Sequence, residues 1–81
     1  MTTLYVKTNS MEQIKDLVHR VDKYDFSVDA YCGSYVVDAK SILGMVNIGF
    51  DKELKLVAYT NDVTMIEKDL SDYIVEMATA V

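Results

Sequence analysis

The feature that most constrains the fold is the way that two hydrophobic periods alternate along the chain. Strand-like alternation of apolar and polar residues occurs at 4–7, 27–32, 35–39 and 54–59. Helical spacing of apolar residues occurs at 11–23, 42–48 and 64–77. The order βα-ββ-α-βα predicts one two-layer α+β domain over residues 1–81. We expect a four-stranded, mostly antiparallel sheet with two long helices and one short helix on one face.

Side chains that can cap helices mark where each predicted helix begins. Ser10 with Gln13 fits a capping box at the start of the first helix. Ser41 precedes the short helix, and Gly49 follows it. Two N-caps are possible for the last helix, either within Asn61–Asp62 or at Thr64.

The two faces of the predicted sheet differ in chemistry. The core face takes the aliphatic residues Leu4, Val6, Val28, Ala30, Val37, Ala39, Leu54, Leu56 and Ala58. The opposite face takes Tyr5, Lys7, Asp29, Tyr31, Asp38, Lys55, Val57 and Tyr59. Tyr5, Tyr31 and Tyr59 are expected to pair across strands, or alternatively to form a dimer or ligand surface.

Composition excludes several classes of function. The net charge of −5 disfavours nucleic-acid binding and is compatible with a basic protein partner. A single cysteine, Cys32, can form neither an internal disulfide nor a cysteine zinc site. No apolar run is long enough to cross a membrane, and the first residues lack the pattern of a signal peptide. We therefore expect a cytoplasmic protein with no membrane insertion.

The segment Lys40-Ser41-Ile42-Leu43-Gly44, continuing to Asn47-Ile48-Gly49, resembles the region around the regulatory serine of HPr. HPr is the histidine-containing phosphocarrier of the bacterial sugar phosphotransferase system. The weaker resemblance runs from Leu4 to about Glu76 and requires a one-residue insertion in the Cys32–Tyr35 turn. It implies an HPr-like open-faced β-sandwich with this order of elements.

The resemblance fails at the position that carries the chemistry of HPr. The phosphorylated histidine of that family begins the first helix, and Ser10 stands at this position here. Glu12 and Gln13 replace the arginine and proline that follow it in the family. Without an activating base, a serine hydroxyl cannot replace the imidazole nucleophile. We therefore predict no catalytic residue, no enzymatic activity, no metal site and no cofactor.

The resemblance moves the expected function to the short helix. Ser41 matches a serine that a dedicated kinase phosphorylates in Gram-positive bacteria, although a simple helix N-cap also accounts for it. Ile42, Leu43 and Val46 match exposed residues that dock onto partner proteins, and they could alternatively complete the core edge. Met45 and Ile48 are expected to point into the core.

These observations predict a regulatory or protein-interaction module of the phosphotransferase system family that is not a histidine phosphocarrier. A protein partner is expected, and the chain is a monomer or weak dimer. One alternative is a divergent phosphocarrier, and another is a small-molecule-binding α+β regulatory domain with ferredoxin-like βαββαβ order. The only histidine, His19, is expected to be a solvated residue in the middle of the first helix.

Overall fold

The structure is a computed structural model, and it describes residues 1–79. Its strands are β1 (Thr2–Lys7), β2 (Val28–Cys32), β3 (Tyr35–Asp38), β4 (Glu53–Ala58) and β5 (Ile74–Met77). Its helices are α1 (Met11–Asp22), α2 (Ile42–Ile48) and α3 (Val63–Asp69). Along the chain, α1 follows β1, α2 lies between β3 and β4, and α3 lies between β4 and β5. No helix within residues 1–79 is both long and apolar enough to span a bilayer.

The five strands form one antiparallel sheet in the order β3-β2-β4-β1-β5. The first strand therefore lies inside the sheet, between β4 and β5. Leu4 faces Leu56 across the β1–β4 pair, and Ala30 faces the same Leu56 from β2. This register places the predicted core residues of three strands on one face, as the alternation indicates.

The prediction of four strands and of a helix over residues 64–77 was wrong. Helix α3 ends at Asp69, and β5 pairs with β1 as a fifth strand. The register of the β1–β5 pair shifts between Tyr5 and Val6, which indicates a bulge. Ile74 and Met77 are three residues apart on β5, and because of this shift both pack against the core. Spacing of three residues on a bulged strand imitates helical spacing, which explains the error.

The correction also changes the helices. Only α1, with 12 residues, is long, because α2 and α3 have seven residues each. Asp62 is the N-cap of α3, and its side chain accepts the Met65 N–H at 3.1 Å. Thr64 therefore lies inside the helix. The first six elements follow the βαββαβ order of a ferredoxin-like domain, and α3 and β5, which come after them, depart from that order.

One hydrophobic cluster joins the sheet to all three helices. Helix α1 contributes four aliphatic side chains to it, Ile14, Leu17, Val18 and Val21. Helix α2 contributes Met45 and Ile48, and Ile66 and Leu70 come from α3 and its C-cap. Val37, expected in the core, is only partly buried because β3 is an edge strand.

Candidate protein interaction site

The chain enters α2 through a hydrogen-bonded turn at the end of β3. The Asp38 side chain accepts the Lys40 N–H at 2.8 Å, and the Asp38 carbonyl accepts the Ser41 N–H at 2.9 Å. The Lys40 ammonium donates to the Tyr24 carbonyl at 2.6 Å, which ties this turn to the segment after α1. These bonds fix the direction in which α2 leaves the sheet.

Ser41 is the N-cap of α2, as its position before the apolar segment predicts. Its Oγ accepts the Gly44 N–H at 3.2 Å, and its carbonyl accepts the Met45 N–H at 3.0 Å. A Cβ atom on Gly44 would lie 3.1 Å from the Cβ of Val37. A glycine inside a seven-residue helix therefore allows α2 to pack closely beneath β3.

The end of α2 is defined by left-handed backbone. Gly49 has φ 88°, a conformation that favours glycine, and its N–H donates to the Met45 carbonyl at 3.1 Å. Asp51 has φ 66°, and its N–H donates to the Thr8 carbonyl at 2.7 Å. The loop after α2 is thereby held against the end of β1.

Helix α2 is anchored on one side and exposes apolar side chains on the other. Met45 is 1% exposed and Ile48 is buried, which confirms the expectation that they point into the core. Leu43 is 76% exposed and Ile42 is 40% exposed. We call Ile42 and Leu43, with the exposed edge of Val46, the α2 patch. Val46 is partly buried against the core, so it contributes less to this surface.

Phe50 is a further exposed apolar residue near this helix that the sequence analysis did not identify. It follows Gly49 directly and is 41% exposed. A large aromatic side chain placed immediately after a helix-terminating glycine, outside any strand or helix period, was the available signal.

Ser10 is the N-cap of α1, and two backbone N–H groups around it donate to side-chain oxygens. Its Oγ accepts the Gln13 N–H at 3.2 Å, and the Gln13 side chain accepts the Asn9 N–H at 2.7 Å. His19 is exposed on the same helix, nine residues further on, and at 1.5 Å per residue this separates the two by roughly 14 Å along the axis. A histidine at that distance cannot act as a base for the Ser10 hydroxyl.

A polar network joins α1 to the α3–β5 connection. Asp16 and Arg20, which are one helical turn apart on α1, form an ion pair at 2.9 Å. Arg20 also bonds to the Asp72 carboxylate at 2.8 Å and to the Asp69 carbonyl at 3.0 Å, and it lies 4.9 Å from the centre of the Tyr73 ring. The extra contacts were hidden because residues 70–73 were assigned to a helix.

Two tyrosines complete this network, and their ionisation is suppressed. The Tyr73 hydroxyl donates to Asp16, and burial followed by this bond raises the pKa of Tyr73 to about 12. The same bond is the main cause of a lowered pKa of Asp16. The charge of Arg20 also lowers this pKa, and desolvation opposes both effects. The Tyr24 hydroxyl donates to Asp69 at 2.8 Å, and burial is the main cause of its raised pKa. Arg20 and the two tyrosines thereby tie α1 and the segment after it to Asp69 and to the α3–β5 connection.

Two clefts on the surface of the described residues lie away from α2. One, of about 280 Å³, is lined by Arg20, Lys23, Tyr24 and Asp69, and another, of about 270 Å³, is lined by Met1, Tyr59, Thr60 and Asn61. Neither lining includes a residue of α2. The α2 patch therefore lies outside both of these clefts.

The uncovered face of the sheet carries a row in which tyrosine and lysine alternate. Lys55 lies opposite Tyr31 on one side and opposite Tyr5 on the other. Its ammonium is 5.1 Å from the centre of the Tyr31 ring, and Tyr59 donates to Asp29 at 3.0 Å. Cation–π and hydrogen-bonded contacts therefore connect β2 and the end of β4 on this face.

Comparison with solved structures identifies the architecture. The crystal structure of HPr-C-His from Thermoanaerobacter tengcongensis superposes with a TM-score of 0.73 and 22% sequence identity, covering 89% of each chain. The fold is that of HPr. No family model matches the sequence, and no curated protein matches it. A likeness to HPr at this identity establishes a shared fold and not a shared activity.

Proposed function

We propose that this chain is an HPr-like protein-interaction module of the phosphotransferase system family, which acts through the helix that begins at Ser41. In this proposal it regulates a partner by contact and does not carry phosphate on histidine. Such partners imply a cytoplasmic location in a bacterium. Three observations support the proposal: the HPr fold, the serine that begins α1, and the serine that begins α2.

The observation that carries the proposal is the exposure of Leu43 on a helix that is otherwise fixed. Buried Met45 and Ile48 hold α2 against the core, while Leu43 and Ile42 remain exposed. Holding an apolar side chain in water on a rigid element gives no benefit to folding, but it lowers the conformational cost of binding. This pattern favours a protein partner.

The N-terminus of α1 supports contact over phosphoryl transfer. Ser10 accepts a backbone N–H and has no histidine beside it. Glu12, in the first turn, places a negative charge where a phosphoryl group would need a positive one. The proposed regulatory event is instead phosphorylation of Ser41, which would add charge directly beside the α2 patch.

Two phosphorylation reactions test the chemical part of the proposal. Incubation with enzyme I and phosphoenolpyruvate is expected to give no acid-labile phosphate. Incubation with HPr kinase and ATP is expected to phosphorylate the wild type and to leave Ser41→Ala unmodified. Phosphohistidine at His19 in the first reaction, or equal labelling of the Ser41→Ala variant in the second, would contradict it.

A titration tests the docking part. Addition of unlabelled HPr kinase to the ¹⁵N-labelled protein is expected to shift the amide resonances of α2. Leu43→Asp should weaken this binding by tenfold or more, since the side chain at the centre of the patch becomes charged. Thr64→Asp is the matched control, because it adds the same charge at an exposed position of α3. Equal weakening by both variants would argue against a docking role for α2.

A further inference from the structure

Strand β3 is an edge strand whose outward hydrogen-bonding groups can be identified. The Ala39 N–H donates to the Val28 carbonyl at 2.8 Å, so these two residues form a hydrogen-bonded pair. Hydrogen-bonded and non-hydrogen-bonded pairs alternate along an antiparallel ladder. Val36 and Asp38, which lie opposite Tyr31 and Asp29, are therefore non-hydrogen-bonded toward β2. Their backbone N–H groups and the Val36 carbonyl point away from the sheet.

This edge has few of the features that usually block pairing with another chain. Tyr35 is 57% exposed and Val36 is 51% exposed, and the strand contains no lysine, proline or bulge. The other edge strand, β5, pairs through a register shift. The β3 edge is thus the more regular template for an added strand.

The side chains at this edge indicate the charge of an occupant. Asp29 and Asp38 lie directly opposite each other in a non-hydrogen-bonded pair, where cross-strand side chains are closest. Like charges in this arrangement are destabilising. Asp29 accepts the Tyr59 hydroxyl, and Asp38 accepts the Lys40 N–H, but both salt bridges found among residues 1–79 involve Arg20. The acidic pair therefore lacks a cationic partner.

We propose that the β3 edge binds an extended segment of a partner protein in antiparallel register, with a basic residue opposite Asp38. Counting along the added strand, an apolar residue opposite Val36 would follow this basic residue by two positions. Both side chains would lie on the uncovered face, beside Asp38 and Val36. The surface is separate from the α2 patch, and the inference does not depend on the function proposed above.

A second copy of this chain fits the edge less well. Antiparallel pairing of β3 with itself about Val36 would place Ser34 opposite Asp38 and would leave the acidic pair without a cation. It would also bring together two chains of net charge −5 each. Charge complementarity thus favours a basic strand over self-association.

Two synthetic peptides test the inference. The first is acetyl-TVTKTVTT-amide, which carries lysine two positions before valine, and the second replaces that lysine with glutamate. We expect the lysine peptide to shift the amide resonances of Val36 and Asp38, to slow their hydrogen exchange, and to bind roughly three- to tenfold more tightly than the glutamate peptide at low salt. Equal binding of the two peptides, or shifts confined to other strands, would overturn the proposal.

Two variants separate the backbone contribution from the charge. Val36→Pro removes an N–H that points outward and leaves the β2–β3 bonds in place, so peptide binding should be lost while the circular dichroism spectrum is retained. Asp38→Asn keeps an oxygen for the Lys40 N–H and should reduce the preference for the lysine peptide to about twofold or less. Retention of the full preference for the lysine peptide in Asp38→Asn would contradict the proposed role of Asp38. Shifts of the β3 amide resonances that grow with protein concentration in the absence of peptide would instead indicate self-association, and would contradict the proposed occupant.

Discussion

At the residue scale, Ser10 and Ser41 have the same role as helix N-caps. Each precedes a helix, and each Oγ accepts the N–H of the residue three positions later at 3.2 Å. The two helices differ in length and in a second bond. Ser10 begins a helix of 12 residues whose Gln13 side chain also accepts the Asn9 N–H, and Ser41 begins a helix of seven residues without such a bond. The shorter helix has fewer hydrogen bonds of its own, so it depends more on its cap.

Replacement of Ser41 by alanine is expected to lower the free energy of unfolding by about 1 kcal/mol, because the Gly44 N–H loses its acceptor. Ser41→Asp should retain most of the stability, since a carboxylate also caps a helix and is favoured at its N-terminus. Urea denaturation followed by circular dichroism measures both values. An alanine variant as stable as the wild type would show that the cap contributes nothing.

Tyr73 is expected to make the protein sensitive to alkaline pH. Burial and the bond to Asp16 raise its pKa to about 12 in the folded state, above the ordinary value of 10.0. The neutral form is therefore favoured by folding, and its contribution is complete below pH 10 and declines as the pH rises toward 12. Urea denaturation at several alkaline pH values measures this decline.

The control for this prediction is Tyr73→Phe, which cannot ionise at that position. Its stability should decline less steeply above pH 10 than that of the wild type, with part of the decline retained because the pKa of Tyr24 is also raised. An identical slope in the two proteins would rule out Tyr73 as a source of the pH dependence.

At the scale of elements, local signals predicted most of the structure. Capping residues located the starts of α1 and α2, and alternation identified β1, β2, β3 and β4. The error at residues 74–77 arose because strand β5 depends on pairing with β1, about 70 residues earlier in the chain, and on a bulge that the sequence does not mark.

The candidate site was also only partly predictable from the sequence. The cap at Ser41 followed from its position before an apolar segment, and the burial of Met45 followed from the resemblance to HPr. For Val46 the sequence left both exposure and a place at the core edge open, and the structure shows it partly buried against the core. Phe50 lies outside every periodic segment, so its exposure did not follow from periodicity.

The contacts of Arg20 are expected to stabilise the junction of α1 with the α3–β5 connection. Arg20→Met keeps much of the aliphatic stem but loses the bonds to Asp72 and to the Asp69 carbonyl, so the free energy of unfolding should fall by about 1 kcal/mol. Arg20→Lys should recover less than half of this loss, because an ammonium lacks the planar fork that serves several acceptors. Thermal denaturation at low and high salt measures both variants, and full recovery by lysine would indicate a purely charge-based effect.

At the scale of the whole molecule, one side of α2 packs on the core and the other side is exposed. Met45→Ala is expected to cost about 2–5 kcal/mol because the side chain is fully buried. Leu43→Ala should change stability by about 0.5 kcal/mol or less, since Leu43 is exposed. Both variants should unfold in one transition by circular dichroism and by tyrosine fluorescence. Two separate transitions in Met45→Ala would show that α2 folds independently of the sheet.

The interior position of β1 has a consequence for synthesis of the protein. Strand β1 pairs with β4 and β5, and β5 ends at Met77. While the chain is being translated, one side of β1 has no neighbour until the last strand has left the ribosome. A growing chain that has reached only α3 therefore presents an open edge at Thr2–Lys7, and this intermediate is the form most exposed to wrong pairing.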